Sequence, residues 1–249
     1  MRVFLQIDPP AGFNPETDST IALALEAEAR GYKLFYYTPK DLFAENGSIL
    51  ANARPITFFD RETEFFSEGP AERVALEEAA DVILIRQDPP YDMAYLTATW
   101  LLGMLAGPMV VNDPRALRDW PEKLLPLTFP EFCPPTLISA DEAELRRFQR
   151  EQGAVVLKPL YGHGGHGVMV IPEDGANLAA LLELYLARSP ESLVMQRYLP
   201  EVAAQEKRII LINGEIAGAF GRLPAKGEIR SNLRTGGKAV ETTLTGRQQ

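Results

Sequence analysis

Four glycines and two histidines fill the six positions 162–167, inside the stretch VVLKPLYGHGGHGVMVI (155–171). Three chemistries suit residues of these types at this spacing. Gly162, Gly164 and Gly167 spell G-x-G-x-x-G, which in a dinucleotide-binding loop brings a pyrophosphate to a helix N-terminus. His163 and His166 are nitrogen ligands three positions apart. A glycine-rich loop between two strands, with a lysine on the strand leading in, suits a flap over phosphates. Without Cβ atoms in the way, backbone N–H groups approach phosphate oxygens closely. The first reading fails on the residues downstream of the loop: VMVI (168–171) reads as a strand and PEDG as a turn, so no helix opens at Gly167. The second fails on number and geometry. The chain has only these 2 histidines, their spacing places nothing in a glycine loop, and zinc would need Cys133 or carboxylates from elsewhere. A plain glycine hairpin leaves Lys158 unexplained, because a lysine within an otherwise apolar strand requires an anionic partner if buried.

The chain as a whole frames that choice. Asp and Glu outnumber Lys and Arg 34 to 25, a net charge of −9, so nonspecific nucleic-acid binding is not expected. An anionic ligand must be met by locally grouped cations. PAKGEIRSNLRTGGK (224–238) is such a group, with Lys226, Arg230, Arg234 and Lys238 against Glu228; Gly227, Gly236 and Gly237 supply hinges, as a lid over an anion requires. The single cysteine suits a reducing compartment. No window has the apolar length of a membrane span, and MRVFLQIDPP turns polar too soon for a signal peptide. A cytoplasmic location away from membranes is expected.

The elements that must position these residues fall into two halves. RVFLQI (2–7), KLFYY (33–37), DVILIR (81–86) and MVVN (109–112) read as strands. A helix capped at Asp18-Ser19 and stopped by Gly31, and another over 93–106, alternate with them, as in a parallel sheet with helices on both faces. Asn46-Gly47 marks a hairpin turn. Asp8, Arg86, Asp88 and Asn112 fall at strand carboxyl ends, where ligands sit in such sheets. The Pro-rich 114–135 reads as a boundary with a short helix. Beyond it, Ser139-x-x-Glu142 predicts a capping box opening a helix to Gly153. Strands come next at 154–160 and 168–171, then a helix over about 176–188, a strand LVMQRYL, and a hairpin over 207–223 turning at Asn213-Gly214. The second half is α+β. A strand–glycine loop–strand flap also occurs in protein kinases, but H-R-D and D-F-G are absent; the remaining nucleotide fold with such a flap is ATP-grasp.

Seven collinear blocks sharpen this. They are DPP (8–10) with DST (18–20), LIRQDPPYD (84–92), VNDPRALRDWPEKL (111–124), LKPLYGHGG (157–165), MQRYLP (195–200), EKRIILINGE (206–215) and GRLPAKGEIRSNLRTGGK (221–238). In these the chain resembles the bacterial glutathione synthetases, ATP-grasp ligases that join γ-glutamylcysteine to glycine through an acyl phosphate. The resemblance implies an α/β protein with an N-terminal parallel-sheet, substrate-binding domain over 1–120 and an ATP-grasp α+β domain over 121–249, C-terminally incomplete relative to the family. It implies ATP and Mg²⁺, with the family's metal ligands expected beyond Gln249 and none assigned within the chain, and a homo-oligomer.

By the same resemblance, Lys123 and Lys158 hold the nucleotide, Gly164 and Gly165 form the phosphate flap, and Gln196, Tyr198 and Leu199 belong to the hinge that reads adenine. Arg208, Arg222 and Arg230 surround the peptide carboxylate and the transferring phosphate, a task for which the planar guanidinium fork is suited. Ser19, Arg86, Asp88, Asn232, Gly236 and Gly237 are implied on the substrate side. A ligase for another amino-acid pair, and a nucleotide-binding chain that turns nothing over, are the alternatives. The blocks RQDPPYD and EIRSNLRTGG argue against the first. Loss of the family's last strands is expected to leave an apolar patch or an open sheet edge.

Overall fold

The computed structural model describes all residues except 188–190, 203–205, 226–230, 232–235 and 247–249. The chain divides into two compact units, Met1–Pro121 and Glu122–Gln249.

In the first unit, β1 (Arg2–Gln6), α1 (Ser19–Ala29), β2 (Lys33–Tyr37), β3 (Leu42–Glu45), β4 (Ser48–Phe58), β5 (Phe66–Glu68), β6 (Glu72–Ala75), α2 (Leu76–Ala79), β7 (Val82–Ile85), α3 (Met93–Leu102), β8 (Met109–Val111) and α4 (Pro114–Asp119) succeed one another in chain order. The sheet runs β3-β4-β2-β1-β7-β8, with β5 and β6 also on β4. The four strands β2, β1, β7 and β8 are parallel, as the β–α alternation predicts. The antiparallel strands β3 to β6 extend the edge of that sheet, and of these only the Asn46-Gly47 turn is legible in the sequence. Both turn residues adopt positive φ, 50° and 85°, the backbone a two-residue hairpin demands. Alternation along β1 serves two cores. Val3 and Leu5 pack with Ile21 and Ala24 of α1, while Phe4 packs with Ile83 and with Ala98 and Leu102 of α3. The helices therefore cover opposite faces. Asp18 caps α1 through the Thr20 N–H at 2.7 Å, and Asp92 caps α3 through that of Tyr95 at 2.9 Å. The helix expected to reach 106 stops at Leu102; Met104 and Leu105 bond three residues back, to Leu101 and Leu102, in a tightened last turn.

The second unit carries β9 (Thr136–Ser139), α5 (Glu142–Gln152), β10 (Val155–Pro159), β11 (Met169–Ile171), α6 (Leu178–Leu186), β12 (Leu193–Arg197), β13 (Lys207–Ile212), β14 (Glu215–Leu223) and β15 (Lys238–Val240). Strands β11-β10-β12-β9 form one antiparallel sheet and β13-β14-β15 another. The cap of α5 is Asp141, which accepts from Ala143 N (2.8 Å) and Glu144 N (3.2 Å), rather than the Ser139 of the expected capping box. Ser139 is the last residue of β9, and its hydroxyl accepts from Asp141 N instead. Asn213 and Gly214 turn the β13–β14 hairpin with φ of 52° and 81°. Ile210, Leu211, Ile212 and Ile216 on this hairpin are exposed apolar residues.

Period-two alternation decides what the first of these sheets does. Val155, Leu157 and Ile171, with Leu193 and Met195, lie in a core with Leu145 and Phe148 of α5 and Leu178 and Leu182 of α6. The intervening residues Val156, Lys158, Val170, Val194 and Gln196 belong to the other face. A lysine thus enters an apolar strand without entering the core.

Candidate functional site

That second face is the floor of a cavity of about 440 Å³, within the range of small-ligand sites. Val156, Val170 and Val194 give it apolar walls suited to a flat ring. Glu122, Lys123, Lys158, the glycine loop, the segment 196–199, Glu206, Arg222 and Ser231 are also in its lining. Among the sequence-predicted residues, Lys123, Lys158, Gly164, Gly165, Gln196, Tyr198, Leu199 and Arg222 come together here.

The two lysines are half-buried and rest on neutral oxygens. Lys158 Nζ donates to Gln196 Oε1 at 2.6 Å, and Lys123 Nζ donates to the Gly162 carbonyl. Burial pushes both amines below the ordinary lysine value, and the charge of Lys123 pushes Lys158 further the same way. Two desolvated like charges facing one concavity favour an anion between them. Gln196 Nε2 in turn donates to Thr136 Oγ1 at 2.9 Å, so both ends of its amide are engaged.

The glycine loop joins β10 to β11 as the strand–loop–strand reading requires. Gly164 and Gly165 have φ of 59° and 80°, so their N–H groups are directed as side-chain-bearing residues rarely direct them. Gly167 adds a packing reason. Its φ is 69°, and a Cβ there would lie 2.8 Å from Pro159 Cγ and from Tyr185 Oη. Tyr185 Oη donates to the Gly167 carbonyl at 2.9 Å, tying the loop's end to α6. The His163 and His166 rings stand edge to face, 5.8 Å apart.

Arg222 is ion-paired with Glu206, and its backbone N–H donates to the Glu206 carbonyl at 2.9 Å. Its Nε is buried without a partner. Arg208 pairs with Phe220, so the register sets it on the same face as Arg222, but it is exposed and outside the cavity lining. Gly236 and Gly237 precede β15, with φ of 87° at Gly236. Arg230, Asn232 and most of the expected lid lie outside the described residues. Sequence reasoning missed Thr136, whose partnership with Gln196 depends on a strand pairing 60 residues apart in the chain.

A separate cluster forms in the first unit. Arg86, just past β7, donates through Nη2 to Ser19 Oγ at 2.6 Å and through Nε to Thr20 Oγ1 at 3.3 Å, at the N-terminus of α1. Asp8, past β1, accepts from the Asp88 N–H at 2.6 Å. The structure thus joins Arg86 to Ser19 at the start of α1, and Asp88 to Asp8, just beyond the carboxyl ends of β7 and β1. Among the described residues no three His, Cys, Asp or Glu side chains gather as a metal site. None of the helices described is long and apolar enough to cross a membrane.

Residues 1–118 match the family model for the prokaryotic glutathione synthetase N-terminal domain, and 122–249 that for the prokaryotic glutathione synthetase ATP-grasp domain. The glutathione synthetase of Rhodopseudomonas palustris is 44% identical over 251 residues, covering 100% of this chain and 80% of that protein. That of Bradyrhizobium diazoefficiens is 45% identical over 251 residues, covering 100% and 79%. Solved structures show the same fold at low identity. D-cycloserine synthetase DcsG superposes with a TM-score of 0.64 at 13% identity, covering 97% of this chain and 75% of that one. D-alanyl-alanine synthetase A of Vibrio cholerae does so at 0.57 and 12%, covering 99% and 76%. With both units matched to the two domains of one family, and full-chain relatives above 40% identity, the chain belongs to the prokaryotic glutathione synthetases, ATP-dependent ligases of the ATP-grasp fold.

Proposed function

We propose that the cavity of the second unit holds ATP and that the chain activates the carboxylate of γ-glutamylcysteine for attack by glycine. The carrying observation is the pair of half-buried lysines that rest on neutral carbonyls and face one concavity. Lys123 and Lys158 meet the phosphates, Gly164 and Gly165 cover them, and the valine walls with Gln196, Tyr198 and Leu199 receive adenine. Arg222 stands where a transferring phosphate gathers negative charge. The Ser19–Arg86–Asp88 cluster binds the dipeptide, with Arg86 as the cation for a carboxylate.

In the reaction a carboxylate oxygen attacks the γ-phosphorus and the bond to ADP breaks. The glycine nitrogen then attacks the acyl carbon, phosphate leaves, and the amine gives up a proton. Positioning and charge neutralisation carry both steps. Among the described residues the two acids lining the cavity do not build a magnesium site, because Glu206 is committed to Arg222 and Glu122 acts on the charges of Lys123 and Lys158. The ion is expected to arrive on the nucleotide's phosphates. The segment 224–238 serves as lid, the domains divide near 120, and a cytoplasmic homo-oligomer completes the reading.

Phosphate release with ATP, magnesium, γ-glutamylcysteine and glycine tests it. Release that requires both amino substrates, and is lost when D-alanine or glutamate replaces them, supports it. Equal release with D-alanine assigns the chain to another amino-acid pair.

A further inference from the structure

We propose that Thr136 is a positioning residue that fixes the sense of the Gln196 amide, and through it both the seat of Lys158 and the nucleobase the cavity accepts. The inference rests on reading the cavity as a nucleotide site. Thr136 Oγ1 lies 2.8 Å from the Pro134 carbonyl, which only accepts, so the hydroxyl gives its one proton there. Its lone pairs are then all that face Gln196, 2.9 Å away, and only the amide NH₂ satisfies them. At the other end Lys158 carries donors alone, and only the amide carbonyl satisfies it, at 2.6 Å. Both ends of the relay assign the same orientation to a group whose two ends are otherwise hard to tell apart.

The relay is built into the sheet. Gln196 and Thr136 are directly paired across β12 and β9, and Lys158 faces Val194, two residues from Gln196 on the same face. Gln196 and Lys158 line the cavity and Thr136 does not. The donor end of the amide is therefore turned away from the ligand and its acceptor end is presented beside the lysine. When phosphate draws the Lys158 ammonium, the lysine's hold on the amide weakens, and Thr136 keeps the carbonyl facing the base. A fixed acceptor there selects a purine bearing an amine at C6 over one bearing a carbonyl.

Calorimetric titration of the purified protein with ADP and with IDP tests this. Thr136→Val removes the hydroxyl at nearly constant shape, and Thr136→Ala removes it again without the added methyl. Each is expected to lower the ADP-to-IDP affinity ratio about fivefold or more, the weight of one oriented hydrogen bond. Thr136→Ser should restore it. In the double variant with Gln196→Leu, Thr136→Val should cost no selectivity beyond Gln196→Leu alone, because the two act in series. A ratio within about twofold of wild type in both hydroxyl deletions, or losses that add in the double variant, overturns the relay. Wild-type protein that binds neither nucleotide overturns the nucleotide reading as well.

Discussion

The outer face of α5 and the cavity treat cations in opposite ways. On α5, Arg146 pairs with Glu142, and Arg147 with both Glu144 and Glu151, at helical spacing and in contact with water. In the cavity, Lys123 and Lys158 are withdrawn from water and held by carbonyl oxygens. The α5 arginines are paired with carboxylates one helical turn away, whereas the cavity lysines have neutral oxygens as their hydrogen-bond partners and feel Glu122 only through its charge. Arg222 stands between these cases, since it lines the cavity yet is paired with Glu206. Neutral acceptors fix where a charge sits while leaving its field free for an incoming anion, and a built-in carboxylate would compete with phosphate.

The comparison breaks most directly at Lys158. Lys158→Met should weaken ADP binding by about 2 kcal/mol or more, roughly thirtyfold, from loss of a charged hydrogen bond. It should not lower the unfolding midpoint, because a desolvated charge is removed along with the bond. Titration and thermal melting together read both, and a variant that binds ADP as wild type does would place Lys158 outside the nucleotide site. Next comes Glu206→Gln, expected to destabilise the protein by about 2 kcal/mol in denaturant melts, since it strips the charge partner from a largely buried guanidinium. No change would mean that Arg222 finds another acceptor.

The pH dependence sharpens the contrast. The folded-state value of Lys158 lies below the ordinary 10.5. Well below the lowered value both folded and unfolded chains carry the proton, and the burial penalty is complete. Between it and 10.5 the folded protein releases a proton that the unfolded chain keeps, so stability contributed by this group rises with pH. On the proposed reading ADP is met by the charged form, so its affinity should fall across the same alkaline window. Titrations at stepped pH should show that fall in wild type and a smaller one in Lys158→Met, with Lys123 supplying the remainder. The smallest effect belongs to α5: Glu151→Ala should move the melting midpoint by no more than about 1 °C, because exposed ion pairs stabilise little. A larger drop would erase the distinction between the two surfaces.

Legibility in the sequence tracks the range of the interactions involved. The parallel strands, the α1 cap at Asp18 and both Asn-Gly turns rest on local chemistry and are readable residue by residue. So is Lys158, because a lysine in a strand of valine and leucine is out of pattern. The edge strands β5 and β6 are not, since they form only by pairing with β4. The cap of α5 is misplaced by sequence reasoning because Ser139 and Asp141 offer similar oxygens and the end of β9 decides between them. Thr136 gives no local signal, since its role exists only once β9 lies beside β12. Arg208 shows the converse limit: register places it on the face of Arg222, yet it is exposed and outside the cavity lining.

The alternation of β10 and β12 also constrains how this protein tolerates insertion and deletion. One residue gained or lost within either strand exchanges its two faces. In β10 the exchange would send Lys158 among the leucines of α5 and α6 and turn Leu157 toward the cavity, so one event would damage the core and the cavity together. The same change in the loop 160–168 alters only the reach of the flap, whose end stays tied through Tyr185 and Gly167. Length variation among working descendants of this chain should therefore collect in the loop and spare the strands, whereas substitutions at Val156, Val170 and Val194 should reshape the cavity walls without disturbing the core on the opposite side.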